Sequence, residues 1–111
     1  MKVVKDGEGE KYDAKGHFGC WAMTKLNSGK ETQKLNISMS HFLPDGGGEM
    51  SSSPRERVYF ILSGCMAVKG KGEEHVLEPG DLIYIAPGEE RAIEVIGTEP
   101  VTSLVIVGVV D

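Results

Sequence analysis

Short apolar segments separated by turn residues run along most of the chain. Leu82 to Ile85 is one such segment, and it lies between Pro79-Gly80-Asp81 and Pro87-Gly88. Proline presets φ and glycine accepts positive φ, so these groups mark the ends of strands. Similar segments predict about eight strands and no helix, at 20–26, 34–43, 58–62, 65–69, 74–77, 82–85, 91–95 and 102–110. The pattern predicts an all-β sandwich or barrel.

The segment predicted as a strand at 34–43 alternates clearly between two faces. One face holds Ile37, Met39, His41 and Leu43, and the other holds Asn36, Ser38 and Ser40. Because the first set is mostly apolar, we expect it to face the core, with His41 included. His41 is then either a core histidine hydrogen-bonded to a neighbour or a pocket residue that titrates near neutral pH. The glycine-rich segment that follows, at 44–48, is expected to be a loop.

Two arginines lie on faces that the alternation predicts to be internal. Arg57 shares a face with Tyr59 and Ile61, in a segment that is apolar on both sides and therefore typical of a buried strand. Arg91 shares a face with apolar residues and lies opposite Glu94, which marks the solvent side of its strand. Both guanidinium groups are therefore expected to point into the protein.

Length and composition indicate one small globular domain. The chain has 111 residues, of which residues 1–15 are too polar to form a core strand and are expected to form an arm, with the domain proper at 16–111. Twelve basic against seventeen acidic residues give a net charge of −5, which argues against nucleic acid and membrane surfaces as partners. There is no apolar leader at the start and no apolar run near the length of about 20 residues that spans a bilayer. A cytoplasmic location is expected, with Cys20 and Cys65 reduced.

Two turn patterns resemble the sequence motifs of the cupin family. Gly80, five residues, Ala86-Pro87-Gly88, two residues and Arg91 match the spacing of the second motif, and Arg57 stands seven residues before Gly64 as a glutamate does at the end of the first. The resemblance covers roughly residues 34–110. It implies an all-β, single-domain double-sheet jelly roll, and it favours a homodimer in which the 20–26 strand, with Trp21, covers a partner's sheet edge.

The same resemblance locates the positions where cupins hold a metal. The family's two histidines, glutamate and third histidine fall here on Ser51, Ser53, Arg57 and Arg91. Arginine has no lone pair to offer a cation, so no metal and no cofactor is expected, and two inward guanidinium groups would form an anion site. The alternative is that each arginine pairs with an acidic residue in a salt bridge at the rim, for which Glu56, Glu89 and Glu90 are the candidates.

Three functions remain open at this point. The first is a metal-independent enzyme, of isomerase, lyase or decarboxylase type, that acts on a small carboxylate or carbonyl compound. The second is a non-catalytic cupin that binds a small organic anion, and the third is a metal enzyme whose ligands have moved to His41, His75 or a cysteine. The candidate catalytic residues are His41 and Tyr59, and the candidate substrate-binding residues are Arg57, Arg91, Ser51, Ser53, Met39 and Tyr84. A pair formed by His41 and Tyr59 across the pocket would favour catalysis.

Overall fold

The computed structural model describes residues 1–109, and these residues form strands and turns without any helix. The prediction of an all-β fold is confirmed, while Val110, at the end of the last predicted strand, and Asp111 lie outside the described residues. The strands are β1 Glu10–Tyr12, β2 His17–Leu26, β3 Leu35–Ser51, β4 Arg57–Ser63, β5 Met66–Gly70, β6 Glu73–Leu77, β7 Leu82–Ile85, β8 Arg91–Val95 and β9 Val101–Gly108. No helix in this part of the chain could cross a membrane.

The strands form one antiparallel sheet that folds over on itself. The strand order is β6-β5-β8-β3-β9-β4-β7, with β2 added to β3 and β1 added to β2. The long strand β3 belongs to both halves of this sheet, because residues 35–42 pair with β9 and residues 47–51 pair with β8. The result is a nearly closed jelly-roll barrel, which agrees with the fold that the resemblance implies.

The glycine-rich segment is part of β3, so the expected loop at 44–48 is wrong. Gly46 and Gly47 are buried inside the strand. A Cβ added to Gly46 would lie 2.4 Å from the carbonyl oxygen of Gly19, and one added to Gly47 would lie 2.5 Å from that of Ile93. Glycine is needed here because the backbones of β2 and β8 approach β3 more closely than any side chain allows.

The interior of the barrel is apolar at one end and polar along β3. The most deeply buried apolar side chains include Phe42, Ile61, Met66 and Val101. In the first half of β3 the buried positions are Ser38, Ser40 and Phe42, whereas Ile37, Met39 and His41 are only partly buried and Leu43 is exposed. The prediction that His41 and its apolar neighbours face the core is therefore wrong by one residue of register. The outer side of β3 is partly covered, because Trp21 stacks on His41 and residues of the N-terminal segment lie beside Met39.

The first fifteen residues, predicted to be an arm, pack on the barrel. The ammonium group of Lys25 donates hydrogen bonds to the carbonyl oxygens of Lys5, Asp6 and Glu8, at 3.2, 2.5 and 2.6 Å. Two residues further on, β1 pairs with β2 from Glu10 to Tyr12. This segment consequently adds a short strand that the sequence pattern did not indicate, and it brings residues 12–16 to the mouth of the barrel.

Candidate functional site

A cavity of about 550 Å³ opens inside the barrel. Its volume lies within the usual range of small-molecule sites, which is roughly 300–1,000 Å³. The walls come from the inner faces of β3, β4, β8 and β9, and the mouth is formed by residues 12–17 and 49–52. Four of the residues named from the sequence line this cavity: Ser51, Arg57, Tyr59 and Arg91.

Arg91 is the most deeply buried charged side chain in the cavity wall, with 8% of its surface exposed. It lies on β8 between the cavity and the core, directly opposite Ser51 of β3. Its Nε donates a hydrogen bond to the hydroxyl oxygen of Tyr59 at 3.3 Å, and its Nη1 donates one to the carbonyl oxygen of Ser51 at 3.1 Å. The guanidinium plane is thus fixed by two elements, and its remaining donors have no hydrogen-bond partner within residues 1–109.

Arg57 enters the same cavity from β4, where Arg57, Tyr59 and Ile61 share the inner face as predicted. Its Nε is enclosed and has no hydrogen-bond partner within residues 1–109. An enclosed, unpaired donor on a cation is costly, since burial removes water without replacing its hydrogen bonds. Arg57 nevertheless lines the cavity, so a ligand carboxylate there would supply the counter-charge that the chain does not.

Neither arginine forms a salt bridge in the described part of the chain, so the rim salt bridges considered as an alternative are absent there. Two of the expected acidic partners are engaged elsewhere. Glu56 accepts a hydrogen bond from the hydroxyl of Tyr84 at 2.9 Å, and Glu89 accepts one from the backbone N–H of Ala86 at 2.9 Å. Two permanent cations hence share one cavity without a paired carboxylate.

His41 lies outside the barrel. Its ring stacks on Trp21 with centroids 4.1 Å apart, and its Nδ1 is 3.2 Å from the hydroxyl oxygen of Thr102. Burial lowers the pKa of His41, and the nearby Asp6 carboxylate opposes that shift. Because β3 presents His41 to its outer side, the expected pairing of His41 with Tyr59 across the pocket does not occur.

Three further residues named from the sequence lie away from the cavity. Met39 belongs to the outer face of β3, where it shares a shallow groove with Lys2 and Val4. Tyr84 is 54% exposed on β7, and its hydrogen bond to Glu56 raises its pKa. Ser53 follows β3, and its hydroxyl oxygen accepts a hydrogen bond from the backbone N–H of Arg55 at 3.2 Å. The strand alternation that places Arg57 inward places Met39 and Tyr84 outward.

Sequence reasoning missed several residues that line the cavity. Ser40 and Ser103 lie on its inner wall, while His17 lies near its mouth. The imidazole of His17 donates from Nδ1 to the carbonyl oxygen of Lys15 at 3.0 Å, which leaves Nε2 as the acceptor of the neutral ring. Ser40 could have been found from the alternation of 34–43, because it belongs to the polar face of that segment; nothing in the sequence pattern indicated His17.

The residues at the cupin metal position do not fit a metal ion. Ser51, Ser53, Arg57 and Arg91 offer no imidazole and no carboxylate, and a guanidinium repels cations. Within residues 1–109 no three histidine, cysteine, aspartate or glutamate side chains converge on one point. His75, considered as a relocated ligand, is exposed on β6 and bonds Glu73 at 2.8 Å.

Comparisons with known proteins agree with this architecture. The beta-D-galactosidase Rv1717 of Mycobacterium tuberculosis (strain ATCC 25618 / H37Rv) is 30% identical over 96 residues, which are 84% of this chain and 81% of that protein. A predicted oxalate decarboxylase from Thermotoga maritima has a TM-score of 0.86 at 18% identity, covering 98% of this chain and 100% of that one. The polyketide cyclase RemF from Streptomyces resistomycificus has a TM-score of 0.85 at 17% identity, covering 97% of this chain and 79% of that one.

The two structural matches show the fold alone, because their identities are low. The sequence match to a family is more direct, since residues 38–107 match the family described as cupin domain. This range contains both turn patterns on which the resemblance was based. The chain therefore belongs to the cupin family.

Proposed function

We propose that this cupin binds a small organic anion, with its carboxylate held between Arg57 and Arg91. The observation that carries the proposal is that Arg57 and Arg91 line one cavity while neither forms a salt bridge within residues 1–109. Two guanidinium groups can grip a carboxylate through parallel N–H donors, which fixes its orientation as well as its charge. Pocket volume and the absence of paired acids within residues 1–109 support the same interpretation.

A direct test is a thermal-shift screen with small carboxylic acids next to their uncharged amides. A ligand that binds only the folded state raises its stability by an amount that grows with the logarithm of one plus the ratio of ligand concentration to Kd. We expect the acids to stabilise the protein and the matching amides to leave it unchanged. Equal stabilisation by both would contradict a site built on charge.

Proton-transfer catalysis is the second candidate function, and one observation favours it. The hydroxyl of Tyr59 is held by Arg91 inside the cavity, and the imidazole of His17 lies at the mouth of the same cavity. A bound carboxylate would bring its neighbouring carbon close to these groups, and guanidinium groups can stabilise the enolate formed when a proton is removed. Isomerase, lyase or decarboxylase chemistry is compatible with this arrangement.

Glycoside hydrolysis, suggested by the name of the mycobacterial relative, has less support here. Glycosidases use a pair of carboxyl groups on either side of the scissile bond. Among the described residues that line the cavity, Glu49 supplies the one carboxylate. The carboxylate-binding proposal is therefore preferred.

Metal independence belongs to this proposal. We expect that purified protein, after dialysis, holds no stoichiometric transition metal, because serines and arginines occupy the cupin ligand positions. Elemental analysis provides the measurement. One equivalent of iron, manganese, nickel or zinc that survives dialysis would contradict the expectation.

A homodimer is expected. Strand β2 is a poorer contact strand than the sequence suggested, because β1 pairs with part of its far edge. The better surface is the outer face of β4 and β7, defined by Val58, Phe60, Leu62, Leu82 and Tyr84. Leu62, Leu82 and Tyr84 are 46%, 60% and 54% exposed, and β7 ends the strand order, so its far edge is also open. A second copy that packs here covers an apolar face and a free edge together.

Light scattering at micromolar concentration tests the dimer. We expect a mass of two chains, and Leu82→Glu should reduce it to one by placing a charge in the contact. Val76→Glu is the matched control, since Val76 is similarly exposed, at 56%, but lies on β6. A mass of one chain for the unmodified protein would refute the dimer.

A further inference from the structure

Two serines form a polar patch on the inner wall of the barrel. Ser40 of β3 and Ser103 of β9 lie directly opposite each other in the strand register, and both line the cavity. They are 8% and 2% exposed. Neither hydroxyl forms a hydrogen bond to another group of residues 1–109. Neither hydroxyl is fully enclosed either, because the one side-chain atom of residues 1–109 that is both fully enclosed and unpaired is Arg57 Nε. Their free hydroxyls therefore face the cavity.

The packing of the barrel gives no reason for these hydroxyls. The neighbouring inward positions on the same strands are Phe42, Val101 and Val105, and apolar side chains at the two serine positions would extend that core. A buried hydroxyl without a partner is destabilising relative to a well-packed apolar group. Opposed side chains of an antiparallel pair have Cβ atoms about 4.5–5.5 Å apart, so both hydroxyls can reach adjacent polar groups of one ligand.

The serine pair is separated from the arginine end of the cavity along the strands. Ser103 lies opposite Ile61 of β4, four residues beyond Arg57. At about 3.3 Å per residue, the backbone positions of Arg57 and Ile61 are on the order of 13 Å apart. A ligand that uses both groups must therefore be extended, with its carboxylate at one end and hydrogen-bonding groups at the other.

We infer that the ligand class is an extended hydroxy acid, with a carboxylate at the arginines and hydroxyl groups at Ser40 and Ser103. This inference rests on the carboxylate site proposed above and adds the other end of the molecule. Serine both donates and accepts, so the pair suits hydroxyl groups, which do the same. Phe42 and Val105 line the cavity beside the serines and supply apolar contact for the carbon chain.

The test compares three probes of similar size by calorimetric titration of the full chain: gluconate, hexanoate and glucose. Gluconate has the carboxylate and the hydroxyl groups, hexanoate has the carboxylate alone, and glucose has the hydroxyl groups alone. We expect gluconate to bind at least about tenfold more tightly than either of the others, because only gluconate satisfies both ends of the cavity.

Variants of the serines assign that preference to the patch. Ser40→Ala and Ser103→Ala should each weaken gluconate binding roughly fivefold, the scale of one hydrogen bond, and leave hexanoate binding unchanged. Ser38→Ala is the matched control, because Ser38 is equally buried on the same face of β3, at 8%, but does not line the cavity. It should alter neither affinity.

The outcomes separate this inference from the carboxylate site itself. If hexanoate binds as tightly as gluconate and Arg57→Ala weakens both, the hydroxy-acid inference is overturned and the carboxylate site stands. If glucose binds as tightly as gluconate, or if neither acid binds, the carboxylate site fails and the inference fails with it. If the serine variants bind gluconate as the unmodified protein does, the patch has no role in recognition.

Discussion

Replacement of Arg57 by alanine is expected to weaken the binding of a small carboxylate by roughly 2 kcal/mol or more, the scale for removing one member of a buried hydrogen-bonded charge pair. That corresponds to a loss of about 30-fold in affinity. The physical reason is that Arg57 lines the cavity with a permanent charge that no carboxylate of residues 1–109 pairs, so the ligand supplies its counter-charge. Calorimetric titration with the acid that gives the largest thermal shift provides the measurement.

Arg57 and Arg91 should differ in what they do to stability. Arg57 Nε has no partner in the described chain, so Arg57→Ala should leave the melting temperature unchanged or raise it. Arg91 holds Tyr59 and the backbone of Ser51, so Arg91→Ala should lower both the affinity and the melting temperature. The stability of Arg57→Ala ensures that lost binding is not merely lost folding.

Arg55→Ala is the matched control for charge. Arg55 lies two residues away, is exposed and does not line the cavity, so the substitution changes the net charge equally without touching the site. It should leave binding of the acid intact. The anion site would be refuted if both arginine variants lowered thermal stability while binding the acid as well as the unmodified protein does.

The fold, and the inward orientation of Arg57 and Arg91, could be predicted because the sequence patterns that indicate them are local. Most predicted strands are flanked by glycine or proline, and outside β2 and the segment 44–48 these residues end strands in the structure as well. Arg91 could be placed inward because Glu94, on the opposite face, is charged and exposed, while its same-face neighbours are apolar. On such a strand one face meets water and the other meets the core, so alternation determines orientation.

Strand β3 could not be oriented in this way, because its two environments are the reverse of the usual ones. Its inner face lines a polar cavity and carries Ser40, while its outer face is covered by apolar neighbours and carries Met39 and His41. Alternation alone shows that the two faces of a strand differ, but it does not show which face is internal. The same limit explains why the sequence did not indicate His17 as a cavity residue, because its position depends on how β2 crosses the second half of β3.

The glycine run at the centre of β3 shows a second limit of sequence reasoning. Glycines next to Pro44 and Asp45 are typical of a loop, and here they continue a strand of 17 residues. The distinguishing factor is the close approach of backbones from β2 and β8, which are distant in sequence. Only tertiary structure determines whether a glycine is needed for its torsion angles or for its missing side chain.

Replacement of Gly47 by alanine is therefore expected to be strongly destabilising. The added Cβ would lie 2.5 Å from the carbonyl oxygen of Ile93, and that atom belongs to a backbone that cannot rotate away. Either β3 or β8 must shift, and forced overpacking of this kind costs about 1–3 kcal/mol or more. Denaturant unfolding, compared at equal m-value, measures the loss in unfolding free energy.

Two other glycines serve as graded controls. A Cβ added to Gly48 would lie 3.3 Å from ring atoms of His17, which is a side chain that can move, so Gly48→Ala should cost less than Gly47→Ala. Gly7→Ala should be neutral or slightly stabilising, because no atom lies within 4 Å and its φ is not positive. Equal unfolding free energies for Gly7→Ala and Gly47→Ala would contradict the close approach of β8 to β3.

Gly47→Ala should also affect the anion site. Ile93 is two residues from Arg91 on β8, and Gly48 and Ser51 of β3 pair with Ile93 and Arg91. A displacement of β8 at Gly47 therefore moves the guanidinium of Arg91 relative to Arg57, and a two-point grip on a carboxylate depends on that spacing. We expect Gly47→Ala to weaken acid binding even at temperatures where it is fully folded, whereas Gly7→Ala binds normally. Unchanged affinity in folded Gly47→Ala would show that the two arginines do not act as one site.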